Sequence, residues 1–178
     1  MNVDLDRYRE PSRDPAVLAA RREALLHQLG WLADEAEALG GALDGLPGWA
    51  LEQTALPDER SVKATLAHLA ALDRDVYARW VERVVAEDAP GLDDLEAEDD
   101  PAANERALDD LLAEVRRRRA ALIEAVGAVP EADWDRTATL GGEARSLYDL
   151  VLHIVRYDAE ALRTLAYRLH EARLSDRA

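Results

Sequence analysis

The stretch SLYDLVLHIVRYDAEAL (residues 146–162) decides the fold. Leu147, Leu150, Val151 and Ile154 recur at steps of three or four, and Ala161 and Leu165 continue the line. That spacing predicts an amphipathic helix with one buried face. After Gly141-Gly142 the helix begins at Ser146, and it continues towards Arg173.

Working outward, three more segments show the same period. The nearest upstream starts at the cap-like pair Asp100-Pro101. It carries Leu108, Leu111, Leu112, Val115, Leu122 and Val126, and closes at Gly127 and Pro130. The next begins at Ser61, carries Val62, Leu66, Leu69, Val76, Trp80 and Val84, and ends before Pro90-Gly91. The first runs from Asp14 to Leu39, with Leu18, Leu25, Leu29, Leu32 and Ala36 on one face and Gly40-Gly41 as its stop. Four such helices predict an all-α fold, a four-helix bundle. The length of 178 residues suits one domain, with its core over about residues 14–170. Residues 42–60 read as an ordered loop, and residues 87–100 as an acidic, solvated one. The loop at 128–145 carries Trp134; a hairpin there lacks the alternation that would support it.

Composition removes several function classes. The chain has 37 acidic and 22 basic side chains, a formal charge of −15. Nucleic-acid phosphates and anionic membranes both require a basic surface, so neither is an expected partner. The run Arg116–Arg119 is too short to change that and reads mostly as a solvated helix face. There is no cysteine, which excludes disulfides and thiolate ligands. The first ten residues are charged and do not resemble a signal peptide. The expected location is cytoplasmic.

Chemistry is sought where ionisable groups meet apolar stripes. His68 flanks the stripe of the second helix. His153 flanks that of the last, with Tyr157 one turn later. Imidazoles on two helices can meet across a bundle groove, and neutral imidazole is the commonest ligand for a borderline divalent cation. The plainer alternative for each is a boundary residue with one or two hydrogen bonds. His27 and His170 lie off the stripes and read as surface residues. Three charges fall within stripes: Asp73, Arg119 and Asp158. Buried charges need partners, so Arg119 is expected to bridge to Asp158 or Asp73. The alternative role for Asp73 or Asp158 is as a carboxylate ligand beside the histidines.

Two segments, SVKATLAHLAALD (61–73) and SLYDLVLHIVRYDAEAL, with ERALDDLLAEVRRRRAALIEAV (105–126) between them, resemble the DinB/YfiT-like family from about Asp14 to Leu169. The resemblance implies an antiparallel four-helix bundle, often a homodimer. It implies a divalent metal, such as zinc or nickel, held by three histidines: one from the second helix and two, four residues apart, from the last. Some members are similar to transferases that use low-molecular-weight thiols. His68 matches the first ligand position. The family's HDxxH run falls on YDAEA, putting Tyr157 and Ala161 at the other two positions; a register one turn earlier puts His153 and Tyr157 there. Either way the histidine set is short, and a neutral phenol is a poor zinc ligand. Three functions are therefore expected to compete. The first is a small-molecule pocket between the second and last helices with a degenerate or weak metal site. The second is an active metal-dependent thiol transferase, and the third a non-catalytic homodimeric scaffold.

Overall fold

The computed structural model describes residues 14–43, 45–54 and 59–175, with side chains to residue 170. The charged N-terminal ten residues lie outside this range. The elements are α1 (Pro15–Leu43), α2 (Gly48–Glu52), α3 (Val62–Ala71), a π-helical turn (Leu72–Tyr77), α4 (Ala78–Ala86), α5 (Leu108–Gly127), β1 (Thr137–Leu140), β2 (Glu143–Ser146) and α6 (Leu147–Ser175). α3, the π turn and α4 form one continuous rod, so the rods number four. No helix among the described residues is long and apolar enough to cross a membrane.

The rods form two antiparallel pairs laid side by side. Arg22 near the start of α1 donates to the carbonyl of Gly127 at the end of α5, 2.8 Å away. Arg168 near the end of α6 donates to Glu59 just before α3, at 2.7 Å. α1 packs along both α5 and α6, and α3 does the same.

The caps explain where the rods begin. Ser61 Oγ accepts from the backbone N–H of Ala64 at 3.0 Å and starts α3. Ser146 and Asp149 cap α6 reciprocally: Ser146 N donates to Asp149 Oδ2, and Asp149 N to Ser146 Oγ. Three boundaries differ from the sequence reading. α1 runs through Gly40-Gly41 to Leu43, because a helix tolerates glycine at a cost of about 1 kcal/mol when packing continues. Leu43 supplies that packing, being buried. Asp100-Pro101 caps no α-helix. Asp100 Oδ1 instead takes the N–H of Ala102 in a local turn leading to a 3-10 turn at Ala103–Glu105, and α5 starts only at Leu108. The loop at 42–60 contains the short helix α2.

A hairpin forms at 137–146 without strong alternation, because its turn decides it. Gly141 and Gly142 have φ of 62° and 76°, the positive values that a two-residue hairpin turn needs. The acidic segment is not simply solvated. Leu92 is fully buried, the Leu92 N–H donates to Thr139 O, and Thr139 N–H donates to Pro90 O, docking the segment on β1.

The core has two apolar layers. One, towards the hairpin, holds Leu29, Val76, Trp80, Leu122, Trp134, Tyr148 and Ile154. The other holds Leu32, Leu66, Leu69, Val115, Leu165 and Leu169. Each such leucine contributes roughly 1.5–3 kcal/mol when fully buried. Between the layers, at the level of the π turn, lie the three charges that interrupt the stripes. Asp73, Arg119 and Asp158 are all buried.

Candidate functional site

The buried charges form a closed triad. Arg119 Nε and Nη2 each donate to Asp73 at 2.8 Å, and Nη1 and Nη2 donate to Asp158 at 2.5 and 3.1 Å. Such two-pronged contacts are the geometry a guanidinium favours. Burial pushes the Asp73 carboxyl up to about 6, outweighing the pull of Arg119. Burial also raises Asp158. The four-arginine run therefore divides. Arg116 and Arg117 are exposed, while Arg119 is fully buried. With their oxygens turned onto one guanidinium, Asp73 and Asp158 are not placed as metal ligands; they hold rods α3–α4, α5 and α6 in register.

A cavity of about 250 Å³ opens beyond this triad, between α3 and α6. Its position follows from the anchoring of the start of α3. Ser61 Oγ donates to Asn104 Oδ1 at 2.6 Å, and Lys63 Nζ donates to Glu52 at 2.7 Å and to Asn104 O at 2.9 Å. Arg168 bonds the carbonyl of Arg60 and so fixes the far end of α6 to the same place. The lining comprises Glu59, Arg60, Thr65, His68 and Leu69 on one side and Tyr157, Glu160, Ala161, Thr164 and Arg168 on the other.

His68 is the half-buried centre of this wall. Its Nδ1 is enclosed and lies 3.2 Å from Asp99 Oδ1, off the line a hydrogen bond requires. That leaves Nε2 as the nitrogen available to the cavity. Burial lowers the His68 pKa, and the Arg60 cation lowers it further against the opposing pull of Asp99. The ring is therefore neutral at neutral pH. Asp99 is held ionised below its usual range chiefly by Arg60, whose Nε lies 2.9 Å away. Thr65 and Thr164 already donate their hydroxyl protons to Ser61 O and Glu160 O, leaving their oxygens as acceptors.

His153 does not join His68. It lines a separate cavity of about 390 Å³ between the hairpin and α6, its ring tilted 55° against Trp80 with centroids 5.7 Å apart. One helical turn separates it from Tyr157, which adjoins Asp158 at the level of the triad, and His153 faces the hairpin end instead. Arg145 and Arg156 add to burial in depressing its pKa, an environment that repels a cation. The register with Tyr157 and Ala161 beside His68 is thus the one the cavity brings together. His27 is exposed against Trp31, and His170 is exposed.

The residues present do not fit a tightly bound divalent metal. Among the described residues no three His, Asp or Glu side chains are grouped to hold an ion. At the three positions that the cavity brings together it offers one imidazole, one phenol and, at Ala161, a methyl group, while the Glu59 and Glu160 carboxylates on its wall are paired with Arg168 and Arg163. Sequence reasoning missed Arg60, Asp99 and Arg168, which surround His68. They sit in a connection, in the acidic segment and at the end of a helix, where no periodicity signals a contact.

A four-rod bundle with a cavity between its second and last rods, and a helix-borne histidine in that cavity, defines a class. The DinB superfamily model matches residues 31–165, and the chain belongs to that superfamily. Among solved structures, it is similar to one titled "YfiT from Bacillus subtilis is a probable metal-dependent hydrolase with an unusual four-helix bundle topology". The TM-score is 0.62 at 11% identity, over 91% of this chain and 92% of that one. At that identity the likeness establishes the fold. No curated protein matches the chain in sequence.

Proposed function

We propose that this chain is a small-molecule-binding member of its superfamily, working at the cavity between α3 and α6, with only a weak divalent-metal site. The observation that carries this reading is that His68, Tyr157 and Ala161 line one cavity. The same three places are where the family resemblance puts metal ligands. Here one keeps an imidazole, one presents a phenol and one has no donor atom. A zinc ion would need three protein ligands and an open position to act, and this set falls short. The hydrolase reading attached to YfiT therefore supplies no step for this chain.

The remaining groups suit recognition of a small polar molecule. Neutral His68 accepts a hydrogen bond or a proton at Nε2, and the Tyr157 hydroxyl donates one. Arg60 and Arg168 supply positive charge at the rim, compensated by Asp99 and Glu59. Leu69 and Ala161 give the apolar wall. Small-molecule pockets combine a few placed polar groups with such a wall.

The test is a thermal-shift screen of small carboxylates, amines and low-molecular-weight thiols, with calorimetry on any compound that stabilises the fold. The expected ligand binds equally with and without chelator and weakens about tenfold or more in His68→Ala, the loss of one buried hydrogen bond. Binding that appears only with added zinc or nickel would replace this reading with the metal-dependent thiol-transferase one.

A further inference from the structure

We infer that the second cavity, between the hairpin and α6, is an oxyanion site: Arg145, His153 and Arg156 bind the phosphate or carboxylate of a small ligand whose apolar body lies on Leu140 and Leu152. This site is separate from the His68 cavity and does not rest on the reading given for it.

The chain carries −15 overall, yet this cavity gathers two guanidiniums and an imidazole. Each guanidinium disfavours the protonated form of His153, so the local field is positive. The one carboxylate on the wall, Asp149, does not cancel that field. It is already engaged by Ser146 N and Oγ, by Asp149's place in the α6 cap, and by Arg21 at 3.1 Å. Arg156 makes no ion pair among the described residues. Arg145 pairs only with Glu143 on the same strand, and both side chains are substantially exposed. Exposed pairs of this kind are worth about 0–1 kcal/mol, so an incoming oxyanion can take over that guanidinium.

Size and wall chemistry narrow the ligand. About 390 Å³ is room for a small organic molecule, within the usual span of binding pockets. Leu140 from β1 and Leu152 from α6, both only partly buried, provide an apolar surface beside the basic groups. Arginine forks match phosphate and carboxylate oxygens in two-pronged fashion. A bare inorganic ion would use the charges and leave the open faces of Leu140 and Leu152 uncovered. A phosphate or carboxylate on a hydrocarbon or aromatic body uses both.

The test titrates phenyl phosphate, benzoate and inorganic phosphate into the full-length protein at low salt, following the His153 ring protons by NMR and Trp80 by fluorescence. Phenyl phosphate or benzoate is expected to saturate, to bind more tightly than inorganic phosphate, and to weaken about tenfold in Arg156→Ala and in Arg145→Ala, each losing one charge-assisted hydrogen bond. His27→Ala, at an exposed histidine outside the cavity, should bind as the wild type does. The proposal fails if none of the three ligands moves the His153 signals, or if saturation survives both arginine substitutions unchanged. Equal affinity for inorganic phosphate and phenyl phosphate would overturn the assignment of the apolar body. Circular dichroism of each variant establishes that it is folded.

Discussion

Replacing Arg119 with methionine should destabilise the fold more at pH 8 than at pH 5. Arg119 is fully buried and makes four hydrogen bonds to two buried carboxylates. Methionine keeps much of the volume, so the loss is one of charge rather than packing. Breaking a buried pair by removing one partner costs about 3–5 kcal/mol, because the other charge stays buried and unpaired. For a chain of this size that is a fall in Tm of roughly 6–20 °C. The pH dependence follows from linkage. Asp73 has its carboxyl raised to about 6 in the fold, above its unfolded value. A group raised in this way contributes stability that is full below the unfolded pKa and lost as pH climbs through the folded one. Without the guanidinium both carboxyls rise further. At pH 5 Asp73, already raised to about 6, is protonated, so the fold is spared one of two like charges; at pH 8 it must hold both or keep one protonated against the solvent. Calorimetric melts at the two pH values read this directly. A fall of less than about 2 °C at pH 8, about 0.5–1 kcal/mol, would refute the triad as a structural element, and an equal fall at both pH values would refute the electrostatic account of it.

Other substitutions separate the remaining parts of the account. Asp73→Asn leaves the Arg119–Asp158 pair intact and electrically balanced, so urea unfolding should show a smaller loss than Arg119→Met and a flatter dependence on pH between 4 and 7. Ser61→Ala removes the cap of α3 and its bond to Asn104, and equilibrium unfolding should register about 1–2 kcal/mol. The double substitution Tyr157→His with Ala161→His places three imidazoles around one cavity, and calorimetry should detect one equivalent of zinc bound; no gain would mean that the side chains at 157 and 161 do not converge on His68.

The fold was legible because leucine spacing survives single-sequence reading. Every apolar residue assigned to the stripe of the second rod, from Val62 to Val84, is buried. The same periodicity exposed the charges that broke it, and Arg119 does bond both Asp73 and Asp158. What escaped lies where periodicity carries no information. The hairpin depends on two positive-φ glycines, and the docking of the acidic segment on Leu92 and its backbone. The candidate site was half legible. The pairing of His68 with the YDAEA run came from a motif, but a helical wheel gives direction around an axis and not height along it. That is why His153 looked like a neighbour of His68: its direction allowed the contact, while its level in the bundle places it beside Trp80 and two arginines.

The most direct measurement is the metal content of untagged protein purified from zinc- and nickel-replete cells and passed through a desalting column. The account predicts far less than one equivalent of either metal, unchanged in His68→Ala. One tightly held equivalent in the wild type, lost in His68→Ala, would contradict it.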